Sequence, residues 1–191
     1  MPFRSTAHHH DGDFDEDDEQ QAMQTNGADE VAAAPNNLTE GDSIVAVAEN
    51  RRYEIGMATL RLSTYQVELS SFCDDQAYSK TLSALASVEP ARILFPSTAA
   101  GTLLPRISEI NFELAHISFP ARKSWNASKG MTYVRQYAHR AQVDVLEKDL
   151  SSKFLCLSAL AALLDDAEKV ERTSFVKGAL AFKVVPVDGS A

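Results

Sequence analysis

Ile44-Val45-Ala46-Val47-Ala48 is a short, apolar, β-favouring run, and the polar turn Glu49-Asn50-Arg51-Arg52 closes it. Immediately downstream, Ile55-Gly56-Met57-Ala58-Thr59-Leu60-Arg61-Leu62 reads as a second strand. A third follows Ser63-Thr64, with Tyr65, Val67, Leu69 and Ser71 on one face and Gln66, Glu68 and Ser70 on the other. Period-two alternation of this kind marks an antiparallel strand with one wet side. Three strands joined by short turns make a meander.

Outward from the meander the periodicity changes. Asp74 or Asp75 can cap a helix running to about Val88, with Tyr78, Leu82 and Leu85 on one stripe and Pro90 as the stop. Arg92-Ile93-Leu94-Phe95 reads as a buried strand ended by Pro96. Ser97 or Thr98 can cap the next helix, in which Leu103, Ile107, Ile110 and Leu114 recur at helical spacing. Pro105 falls in its first turns, where proline is tolerated. Ala115-His116-Ile117-Ser118-Phe119 is a fifth strand. The order β-β-β-α-β-α-β, a meander feeding a right-handed crossover, predicts a ribonuclease H-like α/β domain from Ser43 to Pro120.

Past Pro120 the pattern is helical. Lys129 to Tyr137 predicts a short helix. Val143 to Arg172 predicts one long helix of roughly 40 Å at about 1.5 Å per residue, with Leu150, Phe154, Leu157, Ala161 and Leu164 drawing its apolar stripe. Phe182-Lys183-Val184-Val185 reads as an edge strand. Nothing in the remaining sequence supplies a partner for so long a stripe, so residues 121–191 are expected to begin a separate helical region.

Charge divides the 191-residue chain unevenly. Residues 1–42 carry a net charge of -10 and residues 43–191 a net charge of +1, which together give the overall -9. The acidity therefore belongs to the first segment, where His8-His9-His10 precede Asp11, Asp13 and Asp15 to Glu19, and a disordered acidic tail is expected there. The near-neutral remainder neither demands nor excludes nucleic acid. Cys73 and Cys156 stand far apart, outside any CxxC or Cys/His cluster, and are expected to be free, buried thiols. No apolar run reaches transmembrane length, and an acidic stretch stands where a signal peptide would be apolar, so a soluble intracellular protein is expected.

Several stretches, taken as a set, resemble the meiotic branch of the MutS homologues, the branch of homologue four. Ile44 to Glu49 followed by Glu54-Ile55-Gly56-Met57-Ala58 resembles the opening of its connector domain. Phe72-Cys73-Asp74-Asp75-Gln76-Ala77-Tyr78 resembles its strand-to-helix junction, and Arg122 to Gly130 the lysine-glycine junction after the domain. Lys153 to Leu164 resembles the first long helix of its core and lever region. The resemblance implies a ribonuclease H-like connector at 43–120 and the start of the core and lever domain at 121–191. It also implies a nuclear protein that pairs with a sister MutS homologue as a heterodimer. That pair would close around branched recombination intermediates and promote crossovers, using ATP and Mg. The branch lacks the mismatch-reading domain that precedes the connector in repair proteins, in keeping with the acidic segment at 1–42. No G-x-x-x-x-G-K-S/T phosphate loop occurs, so the expectation is a non-catalytic chain with no cofactor, no metal and no small-molecule substrate of its own. The lever, clamp and ATPase regions are expected beyond Ala191.

The residues bear on three chemistries. A nuclease of this fold needs carboxylates on the first strand and neighbouring strand ends. Here only Glu49 and Glu54 lie close, both at the turn. Acyl transfer lacks a nucleophile elbow, and His116 and His139 read as structural or exposed. Nucleic-acid binding has one lead: Arg122, Lys123, Lys129, Arg135 and Arg140 occur without an intervening acidic residue, interleaved with Trp125, Tyr133 and Tyr137. These five cations can neutralise phosphates, or the segment can be a solvated junction whose aromatics anchor the connector to its neighbour. The alternative to a DNA-engaging connector is a free-standing protein-interaction module of the same fold.

Overall fold

The computed structural model describes residues 42–109, 115–172 and 174–186. The expected acidic tail, except for Asp42, and the helical positions Ile110 and Leu114 lie outside the described residues. The meander is present as predicted: β1 (Ser43–Glu49), β2 (Glu54–Arg61) and β3 (Gln66–Cys73) pair antiparallel, with Ile44 opposite Leu60 and Ala58 opposite Leu69. Two short strands, β4 (Arg92–Leu94) and β5 (His116–Ser118), extend the sheet parallel to β1. This is the connectivity of the ribonuclease H-like fold, as the element order predicted.

Helix α1 (Ser79–Val88) starts several residues after the aspartates expected to cap it. Tyr78 occupies the cap position with a left-handed φ of 57° and offers no side-chain cap. Asp74 nevertheless reaches the first turn: its carboxylate accepts from Lys80 N (3.0 Å), Thr81 N (2.8 Å) and the Thr81 hydroxyl (2.6 Å). A carboxylate there also complements the positive helix end. A 3-10 turn at Ser97–Gly101 and helix α2 (Leu103–Glu109) then lead to β5.

The residues after Pro120 depart from expectation. Helix α3 (Ala127–Tyr137) is close to the predicted short helix. The single helix expected from Val143 to Arg172 is two helices, α4 (Val143–Leu150) and α5 (Phe154–Val170). They are separated by Ser151, Ser152 and Lys153, the last with φ -99° and ψ 63°. Nor does a separate region begin at 121. Helix α5 packs on β1, β2 and β3, α3 packs on α5, and β6 (Ala181–Val185) adds to β3 in parallel. The sheet order is β5-β4-β1-β2-β3-β6, so β6 is the edge strand its sequence suggested.

Strand β1, buried on both faces, explains this. Val45 and Val47 point to one core with Ile55, Phe72, Ile93, Phe95, Leu85 of α1 and Leu103 and Ile107 of α2. Ile44, Ala46 and Ala48 point to the other, with Leu60, Val67, Leu69, Leu157, Leu160 and Leu164. A strand apolar on both sides requires a helical layer on each, and α5 with α3 supplies the second. The stripe expected to be uncovered is thereby covered, apart from Phe154, which stays 66% exposed. Gly56 is what lets α5 approach: a Cβ there would stand 2.2 Å from Cys156 N and 2.2 Å from Leu155 C. Cys156 is buried as expected, and burial pushes its thiol up to about 12, whereas Cys73 at the end of β3 is exposed. Among the described residues no helix is long and apolar enough to cross a membrane.

Candidate functional site: a lysine-lined cleft on the α3 and α5 side

A short 3-10 turn, Arg122–Ser124, follows the proline that ends β5. It is tied back by the Trp125 indole N–H, which donates to the Pro120 carbonyl at 3.2 Å. Asn126 then caps α3, its side chain accepting from Lys129 N at 3.1 Å. One turn on, Gly130 permits a close approach of α3 to α5, since a Cβ there would stand 2.0 Å from the Leu157 carbonyl oxygen. Close packing at this point sets Lys129, Tyr133 and Tyr137 of α3 against Asp165 and Glu168 of α5.

The polar groups there are densely connected. Lys129 Nζ lies 2.6 and 2.8 Å from the two Asp165 oxygens, and the Tyr133 hydroxyl donates to Asp165 Oδ1 at 2.5 Å. The Tyr137 hydroxyl donates to Glu168 Oε1 at 2.8 Å. The two tyrosine rings stack with centroids 5.4 Å apart, and the Lys129 ammonium sits 5.4 Å from the Tyr133 ring centroid. Burial, followed by the bond to Asp165, raises the Tyr133 phenol well above its ordinary range. Burial and the bond to Glu168 push Tyr137 up to about 12. Both phenols therefore remain hydrogen-bond donors at neutral pH. Asp165 is buried, and its ionic partner Lys129 is 43% exposed, so solvent weakens the pair.

Beside this network opens a cleft of about 450 Å³ lined by Lys123, Ser124, Lys129, Tyr133, Asp165, Glu168 and Lys169. Three lysines reach it from three segments: the 3-10 turn, the first turn of α3 and the last turn of α5.

The model of MutS domain II, the ribonuclease H-like connector of MutS proteins, matches residues 42–177. The chain belongs to the MutS family. It is 34% identical over 145 residues to human MutS protein homolog 4, an alignment covering 72% of this chain and 15% of the human protein. With the Saccharomyces cerevisiae MutS protein homolog 4 it shares 26% identity over 121 residues, covering 61% of this chain and 14% of the yeast protein. The chain thus matches only a small part of these relatives' length. Among solved structures, the large terminase subunit of bacteriophage Sf6 aligns over 75% of this chain and 64% of that one. Its TM-score of 0.38 and 11% identity are too low to carry an argument.

The match through residue 177 agrees with the packing: α3, α4 and α5 are part of the MutS connector and do not begin a further domain. The connector is not the ATPase domain of the family. Of the five cations singled out from sequence, the fold brings Lys123 and Lys129 into one cleft. Arg122 is exposed beside Lys123. Arg135 is on the same helix but pairs with Glu147 of α4 at 2.5 Å, and Arg140 is exposed in the 3-10 turn before α4. Lys169 was missed, because it reaches the cleft from 40 residues beyond Lys129 and carries no local motif. The interleaved aromatics turn inward: Tyr133 and Tyr137 are buried and Trp125 is half-buried.

The carboxylates considered for nuclease chemistry are not brought together as metal ligands. Glu49, at the end of β1, accepts from the Tyr78 hydroxyl at 2.6 Å and from the Thr102 hydroxyl. Glu54 accepts from the Asn50 side chain. Among the described residues no group of three or more His, Cys, Asp or Glu side chains could hold a metal ion. Glu49 instead ties the end of the first strand to α1 and to the start of α2. His116 and His139 are both exposed.

Proposed function

We propose that this chain is the connector portion of a MutS-family protein acting in meiotic recombination. In this reading it is a non-catalytic element of a nuclear protein that pairs with a sister MutS homologue and engages branched DNA to promote crossovers. ATP and Mg act in other domains of such a protein, and the connector couples those domains to DNA by moving as a rigid body. The single observation that carries the reading is the 34% identity to human MutS protein homolog 4 across the connector. A body stiffened by helices on both faces of one sheet suits transmission, because packed interiors pass displacements on with little compliance.

A domain exchange tests it. Residues 42–186 would replace the connector of a full-length meiotic MutS homologue in a strain lacking that protein, with a connector from a mismatch-repair MutS protein as comparison. Crossover frequency is expected to recover to at least about half of normal with this connector and far less with the repair one. Equal failure of both, with the exchanged proteins present at normal levels, would overturn the meiotic assignment. It would favour a protein-interaction module of the same fold.

A further inference from the structure

We infer that the lysine-lined cleft on the α3 and α5 side binds the phosphodiester backbone of nucleic acid. In it, Lys123 and Lys169 contact phosphate, and Lys129 is the fixed cation between the helices. The inference rests on the reading that the full protein engages DNA, and it adds a place on the connector for that contact. A cleft of about 450 Å³ lies in the size range of small-ligand sites, roughly 300–1,000 Å³.

The charge state of the lining favours an anion. Both carboxylates in the wall already serve protein donors: Asp165 holds Lys129 and Tyr133, and Glu168 holds Tyr137. Lys123 and Lys169 are exposed and form no ion pair among the described residues. Three lysines against two carboxylates leave the lining with a formal excess of one positive charge. Lysine ammonium groups are strongly hydrated point charges that bind phosphate without demanding one orientation.

The same geometry argues against reading of bases. The Tyr133 ring is stacked on Tyr137 and carries the Lys129 ammonium near its face, so it is not free to stack a base. Tyr137 and Trp125 are turned into the domain. A site with cations and no free aromatic face holds backbone and is indifferent to sequence, with affinity that falls steeply as salt rises.

The test uses the 191-residue chain, a fluorescent four-way DNA junction and, separately, inorganic phosphate. Junction binding would be measured by anisotropy between 50 and 200 mM salt, and phosphate binding by amide NMR shifts. The Lys123→Gln/Lys169→Gln double variant removes two surface charges without touching the core. Lys80→Glu, on α1 across the sheet, is the control. The double variant is expected to weaken junction binding on the order of ten-fold at 50 mM salt and to reduce the log–log salt slope by about two. The control should stay within about two-fold. Shifts at 123–130 and 165–170 should appear with the junction.

Junction binding by the unmodified chain that the double variant leaves unchanged would overturn the cleft while leaving DNA engagement standing. Phosphate binding with no junction binding would make this a small-anion site and overturn the nucleic-acid assignment. No junction binding by the unmodified chain, with no phosphate shifts, would overturn the inference, and DNA contact would then belong to other domains.

Discussion

Gly56→Ala should lower the unfolding free energy by about 3 kcal/mol or more, a large share of the roughly 5–15 kcal/mol that holds a domain of this size. The added methyl carbon would meet Cys156 N and Leu155 C at 2.2 Å and Leu155 Cβ at 2.7 Å. Two of those three atoms are backbone in the first turn of α5, so no rotamer change relieves the clash. The helix must lift from β2, and every contact it makes with β1 and β3 loosens with it. Gly130→Ala is the companion case. Alanine should gain about 1 kcal/mol in an exposed helix interior, yet here its Cβ would stand 2.0 Å from the Leu157 carbonyl oxygen. Steric exclusion should win, and the variant should be less stable despite the better helix former. Gly101→Ala, with nothing within 4 Å of its added Cβ, should change stability by less than about 0.5 kcal/mol. Urea unfolding of the three variants measures this. A Gly56→Ala protein within about 1 kcal/mol of the parent would show that α5 does not sit on β2 as described.

Asp165→Ala should cost about 2–3 kcal/mol. The main term is the Tyr133 hydroxyl, which is left buried without an acceptor, a loss of about 1–3 kcal/mol. The ion pair adds little, because Lys129 is 43% exposed and can return to water. Tyr133→Phe removes the stranded hydroxyl, so the double variant should be less damaged than the sum of the singles by about 1 kcal/mol. Strict additivity in that cycle would mean the Tyr133–Asp165 bond contributes nothing between α3 and α5.

Much of the sheet is legible in the sequence. Ile44 to Ala48 is apolar at every position and closed by a polar turn, and β1 occupies that run. The alternation predicted for β3 is present only from Gln66 to Leu69, with Val67 and Leu69 buried and Gln66 and Glu68 half-exposed. Beyond it Ser70 is buried, Ser71 is exposed and Phe72 enters the opposite core, so the strand does not keep one wet side. The helical half was harder for two physical reasons. Ser151-Ser152-Lys153 contains neither proline nor glycine, so periodicity runs straight through the break between α4 and α5. The stripe reading of Leu150 to Leu164 also assumed one buried side, yet from Cys156 to Asp165 only Ser158 is not buried. A helix apolar on all sides lies between two layers. The same β1 run that decided the strands, facing two cores, already required that second layer.

The candidate site was half legible for the same reason. Lys123 and Lys129 are close in sequence and appear as a basic cluster. Lys169 enters only because Gly130 lets two helices meet, and the aromatics interleaved with the cations pack inward, burying Tyr133 and Tyr137.

The most direct test of the central claim, that one connector domain extends through α5, is alkylation of the two thiols. Cys73 is exposed and serves as the internal reference, whereas Cys156 is fully buried, its thiol raised to about 12 and its Sγ 3.8 Å from the Met57 carbonyl oxygen. Under native conditions Cys73 should react promptly. Cys156 should react only as fast as the whole domain unfolds, with the same dependence on denaturant. Rapid labelling of Cys156 without denaturant, at a rate comparable with Cys73, would mean that α5 leaves the sheet as a separate body, and the account would fail.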